Sequence, residues 1–173
     1  MPILNKRANK TPLGLYVHVP FCRSKCQYCD FYSMATKDDK LMDGYLDAVC
    51  DHIKEAGELA PGYKVDSVYF GGGTPSLLSP ADAARLIAAA APAPGAEITL
   101  EANPDSAGDW KALRALQRAG FNRLSLGVQS TDDALLRRIG RVHTYEQVQQ
   151  AVTAARKAKI ENLSLDLIYG LPD

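Results

Sequence analysis

The sequence predicts an α/β fold in which a parallel sheet curves into part of a β/α barrel. Three observations carry this. Five short apolar runs, Leu15–Val19, Val65–Phe70, Ile98–Asn103, Arg123–Val128 and Leu163–Tyr169, alternate with segments of helical period. Strands spaced in this way are joined by helical crossovers, which makes them parallel. The runs also have two unlike faces. One presents Leu15, Val17 and Val19, then Ile98 and Leu100, Leu124, Leu126 and Val128, and Leu163, Leu165 and Leu167. The other presents Tyr16 and His18, Thr99, Glu101 and Asn103, Ser125, Gly127 and Gln129, and Ser164 and Asp166. The apolar face suits a helical layer, whereas the polar face needs partners and suits the wall of a ligand cavity. Finally, 173 residues are too few for a closed eight-unit barrel, which takes roughly 250. A partial barrel, cut short after about five strands, accommodates all three observations.

The helices follow in order. Lys40–Leu59 carries Met42, Tyr45, Leu46, Val49, Cys50 and Ile53 on one stripe. Ser79 and Pro80 supply an N-cap and a first-turn proline for a helix that turns Ala83, Leu86 and Ile87 inward, and Ala88–Ala96 with Pro92 and Pro94 reads as its end and a loop. Ser106–Ala119 places Trp110, Leu113 and Leu116 on one side and stops at Gly120. A short helix, Asp132–Ile139, stops at Gly140. Thr144 and Gln147 form a capping box ahead of Tyr145, Val148, Val152 and Ala155. Residues 1–12 read as an N-terminal extension and residues 13–173 as one core domain.

Composition narrows the function classes. With 46% hydrophobic and 23% charged residues the chain is ordinary globular protein. Twenty basic against twenty acidic residues leave no net charge, so nucleic acid has no electrostatic claim on it. The longest apolar stretch, Leu86–Ala91, cannot span a bilayer, and no apolar segment follows the basic residues of 1–12, so a cytoplasmic location is expected. In a reducing compartment, cysteines serve metal or redox chemistry more often than disulfides, and short cysteine loops close poorly into unstrained bridges.

Three of the four cysteines form Cys22-x-x-x-Cys26-x-x-Cys29. Thiolates bind soft metals and iron–sulfur clusters, and three of them leave one coordination position for something else. A zinc site of three cysteines and His18 is the alternative, although zinc sites usually draw cysteines from two knuckles. Cys50 could offer a fourth thiolate, but its place on a helical apolar stripe reads as core.

The stretch Tyr16-Val17-His18-Val19-Pro20-Phe21-Cys22-Arg23-Ser24-Lys25-Cys26-Gln27-Tyr28-Cys29-Asp30-Phe31 resembles the radical S-adenosylmethionine enzymes. Within them it is similar to the oxygen-independent coproporphyrinogen III oxidase group and its relatives, the HemW-type haem chaperones. The resemblance extends over Tyr69–Ser76, Glu101–Pro104, Leu126–Ser130 and Asp166–Pro172, and so over nearly all of 13–173. It implies a partial (β/α)6-type TIM barrel. It also implies that Cys22, Cys26 and Cys29 hold a 4Fe–4S cluster whose remaining iron binds S-adenosylmethionine through its amino and carboxylate groups. An electron from the cluster would then split the sulfonium into methionine and a deoxyadenosyl radical, chemistry that belongs to the cofactor while the protein ligates, orients and excludes water.

Further residues acquire expected roles from this. Gly72, Gly73 and Thr74 follow a strand, where parallel α/β folds bind ligands, and would let main chain approach the methionine amino group. Nothing like a nucleotide P-loop follows them. Glu101 would accept ribose hydroxyls, with Gln129 and Asp166 in equivalent positions on later strands. Arg141 could pair with the methionine carboxylate. Tyr16 matches a cofactor-contacting tyrosine of the family and Tyr28 would offer main-chain groups to adenine. His52, on a helix's polar side, and His143, in a loop, read as solvated, and Trp110 as helix core.

Phe31 stands where the oxidases typically carry another cysteine and the chaperones a phenylalanine, and only about a dozen residues precede the first strand. The resemblance therefore favours haem binding and transfer to acceptor proteins over the oxidative decarboxylation of coproporphyrinogen III, an oxidoreductase activity. A non-catalytic zinc-binding domain is the reading from another class. The partners implied are a tetrapyrrole, an electron donor such as flavodoxin or ferredoxin, and a haem-acceptor protein.

Overall fold

The structure, a computed structural model, describes residues 10–26, 28–36 and 38–170. Residues 1–9 of the N-terminal extension, Gln27 of the cysteine motif and residues 171–173 of the last matching block lie outside the described residues.

In chain order the elements are β1 (Thr11–Val19), β2 (Phe21–Cys22), β3 (Met34–Ala35), α1 (Asp39–Leu59), β4 (Tyr63–Gly72), α2 (Pro80–Ala90), β5 (Glu97–Ala102), α3 (Trp110–Ala119), β6 (Arg123–Gln129), α4 (Asp133–Arg138), α5 (Tyr145–Lys157) and β7 (Asn162–Leu167). The main sheet has the order β1-β4-β5-β6-β7, and every neighbouring pair is parallel. This is the partial barrel expected from the alternation of strands and helices. α1 packs on α2, α2 on α3 and α3 on α5, so the helical layer follows the order of the sheet.

Between the layers the apolar strand face meets the helical stripes. Phe70, Leu100, Leu124 and Leu126 from the sheet and Leu46, Leu86 and Leu113 from the helices are almost wholly buried. Phe70 and Phe121 meet edge to face, with centroids 5.0 Å apart. Cys50 belongs to this core, as its place on the α1 stripe implied. The predicted apolar face of the last strand differs: Leu163 packs against the core, but Leu165 and Leu167 are exposed on β7, an edge strand and the last described element.

Helix starts follow their caps. The side chains of Asp38, Ser79, Asp132 and Thr144 accept first-turn backbone N–H groups, and the Thr144–Gln147 capping box forms in full. α3 begins later than the pattern from Ser106 suggested. Ser106 instead closes a turn, its Oγ donating to Asn103 O at 2.8 Å and accepting from Asn103 N at 3.1 Å, and Asp109 supplies the cap. β1 begins earlier, at Thr11; Pro12 is tolerated because the strand is at the sheet's edge.

Candidate functional site

The polar strand face opens onto a cavity of about 490 Å³ at the carboxyl ends of the strands, a volume typical of small-molecule sites. All three motif cysteines line it, together with Gly72, Gly73 and Thr74, Glu101, Gln129, Arg141 and Asp166. Tyr28 and Phe31 of the cysteine loop complete one wall. Strands spread over the whole chain thus bring nearly all the predicted site residues to one place.

The cysteine loop is bracketed by a short parallel bridge, Phe21 to Met34 and Cys22 to Ala35. Its entry is tied to the turn after β4: Gly73 N donates to Val19 O at 2.8 Å and Thr74 N to Phe21 O at 2.7 Å. Its exit is tied to β1 by His18, whose Nε2 lies 2.8 Å from Tyr32 O. A carbonyl only accepts, so Nε2 carries the proton and Nδ1 accepts from the Tyr16 hydroxyl at 3.1 Å. His18 therefore serves hydrogen bonding on both nitrogens and is not placed as a metal ligand. Gly72, at φ 110°, lies over this ring, and a Cβ there would sit 2.4 Å from it. Tyr16 is absent from the described residues lining the cavity; its ring stacks on Tyr69, with centroids 6.1 Å apart.

Glu101 is held on two sides. Tyr69 Oη donates to Oε1 at 2.8 Å and Gly72 N donates to Oε2 at 3.1 Å. Burial, followed by the neighbouring carboxylate, pushes the Tyr69 phenol up to about 12, so it remains a donor at any physiological pH. Asp166 accepts from Ser125 Oγ at 2.9 Å. Gln129 ends β6 at φ 67°, a left-handed backbone uncommon for a side-chain-bearing residue, and its carbonyl accepts from Ile168 N at 3.0 Å. Tyr69, Ser125 and Asn103 were visible in the sequence only as members of matching blocks or of the polar face; nothing in composition set them apart.

Arg141 directs its N–H groups at protein partners on every side. Nε donates to His143 Nδ1 at 3.3 Å; Nη1 points at Cys26 Sγ at 3.5 Å and Tyr28 Oη at 3.4 Å; Nη2 donates to Asn103 Oδ1 at 2.7 Å and Gly127 O at 2.9 Å. A cofactor carboxylate reaching it would have to displace one of these. Gly127 permits the approach, since a Cβ there would lie 3.4 Å from the guanidinium and 2.9 Å from the Gln129 amide. The expectation that His143 is solvated fails: it is buried, with 2% of its surface exposed, because the loop folds its ring under β6, Nε2 donating to Val128 O at 3.1 Å. His143 titrates below the ordinary histidine value, chiefly through burial and then through the Arg141 charge.

The donor set fits an iron–sulfur cluster. Three thiols from one loop face the cavity, Thr74 Oγ1 donates to Cys22 Sγ at 3.6 Å, and Arg141 points at Cys26. The Ser33 hydroxyl, on a residue of the same wall, is buried with no partner among the described residues. No three His, Cys, Asp or Glu side chains among the described residues converge as a single ion requires.

A parallel α/β partial barrel with a three-cysteine loop at the carboxyl ends of its strands defines the class. The family model described as the Radical SAM superfamily matches residues 16–173, and the chain belongs to that superfamily. Membership brings a 4Fe–4S cluster and S-adenosylmethionine. Among individual relatives, the chain is 43% identical over 171 residues to the haem chaperone HemW of Synechocystis sp., covering 94% of this chain and 41% of the relative. It is 42% identical over 168 residues to HemW of Escherichia coli, covering 94% and 44%. The solved structure of coproporphyrinogen III oxidase from Escherichia coli superposes with a TM-score of 0.83 at 35% identity, covering 94% of this chain and 38% of that one. The chain thus spans about two fifths of the length of the curated relatives it matches. No helix among the described residues is long and apolar enough to cross a membrane.

Proposed function

We propose that this chain is the cluster- and cofactor-binding part of a HemW-like haem chaperone. Cys22, Cys26 and Cys29 would hold the cluster, which when bound supplies single-electron reduction of the S-adenosylmethionine sulfonium. Glu101, with its two oxygens oriented by Tyr69 and Gly72, is suited to accept ribose hydroxyls. Asp166 and Gln129, on the same cavity wall, would help position the ribose and methionine moieties, Gly72 and Gly73 would offer main chain to the methionine amino group, and Tyr28 would offer main chain to adenine. The protein would bind haem and hand it to an acceptor protein, with flavodoxin or ferredoxin as the class of electron donor.

The observation that carries the chaperone reading is Phe31. It lies two residues past Cys29 on the cavity wall and is 67% exposed, placing an inert ring where a thiol would add a redox-active group beside the cluster. The relatives named HemW support the same reading; the structural likeness to a coproporphyrinogen III oxidase supports the second one, oxidative decarboxylation. The test is anaerobic reconstitution of the full-length gene product with S-adenosylmethionine and a reductant. Stoichiometric haem binding without conversion of coproporphyrinogen III is expected. Catalytic formation of protoporphyrinogen IX would overturn the chaperone reading.

A further inference from the structure

Arginine carries only donors, and that single fact fixes the direction of every hydrogen bond around Arg141. His143 Nδ1, facing Arg141 Nε at 3.3 Å, must accept, so the imidazole proton is on Nε2 and goes to Val128 O. Asn103 Oδ1, facing Nη2 at 2.7 Å, must also accept, which turns the Asn103 amide nitrogen toward Thr74 Oγ1 at 3.2 Å. The Thr74 oxygen therefore accepts from Asn103, and its own proton goes to Cys22 Sγ at 3.6 Å. In parallel, Arg141 Nη1 reaches Cys26 Sγ directly at 3.5 Å.

We propose that Arg141, Asn103 and Thr74 form a one-way donor relay, its guanidinium held in place by His143, that stabilises the charge on two cluster thiolates and thereby raises the cluster's reduction potential. The proposal rests on the reading of Cys22, Cys26 and Cys29 as cluster ligands. Hydrogen bonds to cluster sulfurs offset the negative charge that reduction adds, so each makes reduction easier. A guanidinium donating toward one sulfur, and through an amide and a hydroxyl toward another, aligns the donors in the direction that favours reduction. Thr74, the last donor, and His143, which anchors the guanidinium, are buried at 4% and 2% exposure and so shielded from competing water. In this arrangement Arg141 and Thr74 are the donors to sulfur, and Asn103 and His143 are positioning residues.

The test is a redox titration, followed by electron paramagnetic resonance, of the reconstituted full-length protein without S-adenosylmethionine, alongside iron and sulfide analysis. Thr74→Val keeps the volume and removes the last donor. At a fixed applied potential its ratio of reduced to oxidised cluster is expected to fall about tenfold, equivalent to ~59 mV for one electron. Thr74→Ser, which restores the hydroxyl, should recover the wild-type titration. Asn103→Leu breaks the relay one step back without adding charge and leaves Thr74 in place, and should shift the titration the same way, which covers the case in which Thr74→Val assembles poorly. Wild-type titration curves in loaded Thr74→Val or Asn103→Leu would overturn the relay while leaving the cluster intact. Failure of the wild-type protein to assemble any cluster would instead overturn the ligand reading, and the relay with it.

Discussion

Tyr69 and Glu101 make the most direct residue-scale case for cofactor recognition, because the phenol fixes a carboxylate that would otherwise rotate in the cavity. Glu101→Ala is expected to weaken S-adenosylmethionine binding ten- to hundredfold, since losing a hydrogen bond to a charged group costs about 1.5–3 kcal/mol. Calorimetry under argon with the cluster retained checks this; unchanged affinity would remove Glu101 from the binding wall. The cysteines divide by surroundings. Serine at Cys22, Cys26 or Cys29 should deplete iron and sulfide, whereas Cys50→Ser should leave iron unchanged, its thiol being buried in the α1 stripe. Burial pushes the Cys50 thiol up, away from the thiolate form that binds metal. His143 gives a pH signature. Its folded value lies below the ordinary 6.5, through burial and Arg141, against weaker opposing pulls from Val128 O, Asp105 and Asp133. The unfolded chain therefore takes up the proton first, so this contribution to stability is present above about pH 6.5 and is lost as pH falls below it. Urea denaturation between about pH 7.5 and 5.5 should show a slope that His143→Gln flattens.

At the scale of elements, caps decide where helices begin, and this was largely legible. The box at Thr144 and Gln147, the proline after Ser79 and the stop at Gly120 are local signals, readable because a few neighbouring residues satisfy the orphan backbone groups. α3 was misread at its start because Ser106 has two uses, and only tertiary structure shows that it closes the Asn103 turn. The burial of His143 was illegible for the same reason: residue 143 immediately precedes the α5 cap, and its partner carbonyl is at Val128 on another element. This gives the cap a second consequence. Thr144→Ala should cost about 1 kcal/mol of stability, measured by urea denaturation. It should also disturb the neighbouring His143, seen as a changed histidine resonance in nuclear magnetic resonance.

For the molecule as a whole, the sheet order follows the chain order except for the short excursion through β2 and β3, which carries the cysteines. The half-barrel was legible because period and spacing agreed along the chain and the two faces agreed at the first, third and fourth runs, the exposed leucines of β7 being the exception. The pairing of distant side chains was not, since the Arg141 contacts span 38 residues to Asn103 and 115 to Cys26. The Cys22–Ala35 bridge has a kinetic consequence. It closes the ends of the cysteine loop before any iron arrives, so much of the closure entropy is met by the fold itself. Iron loading then becomes a local ordering event rather than a folding event. Metal-free protein should show the same far-ultraviolet circular dichroism as the loaded form, while limited proteolysis cuts between Arg23 and Ser33 far faster without the cluster. A metal-free chain that was digested throughout would mean that the cluster, not the barrel, organises the fold.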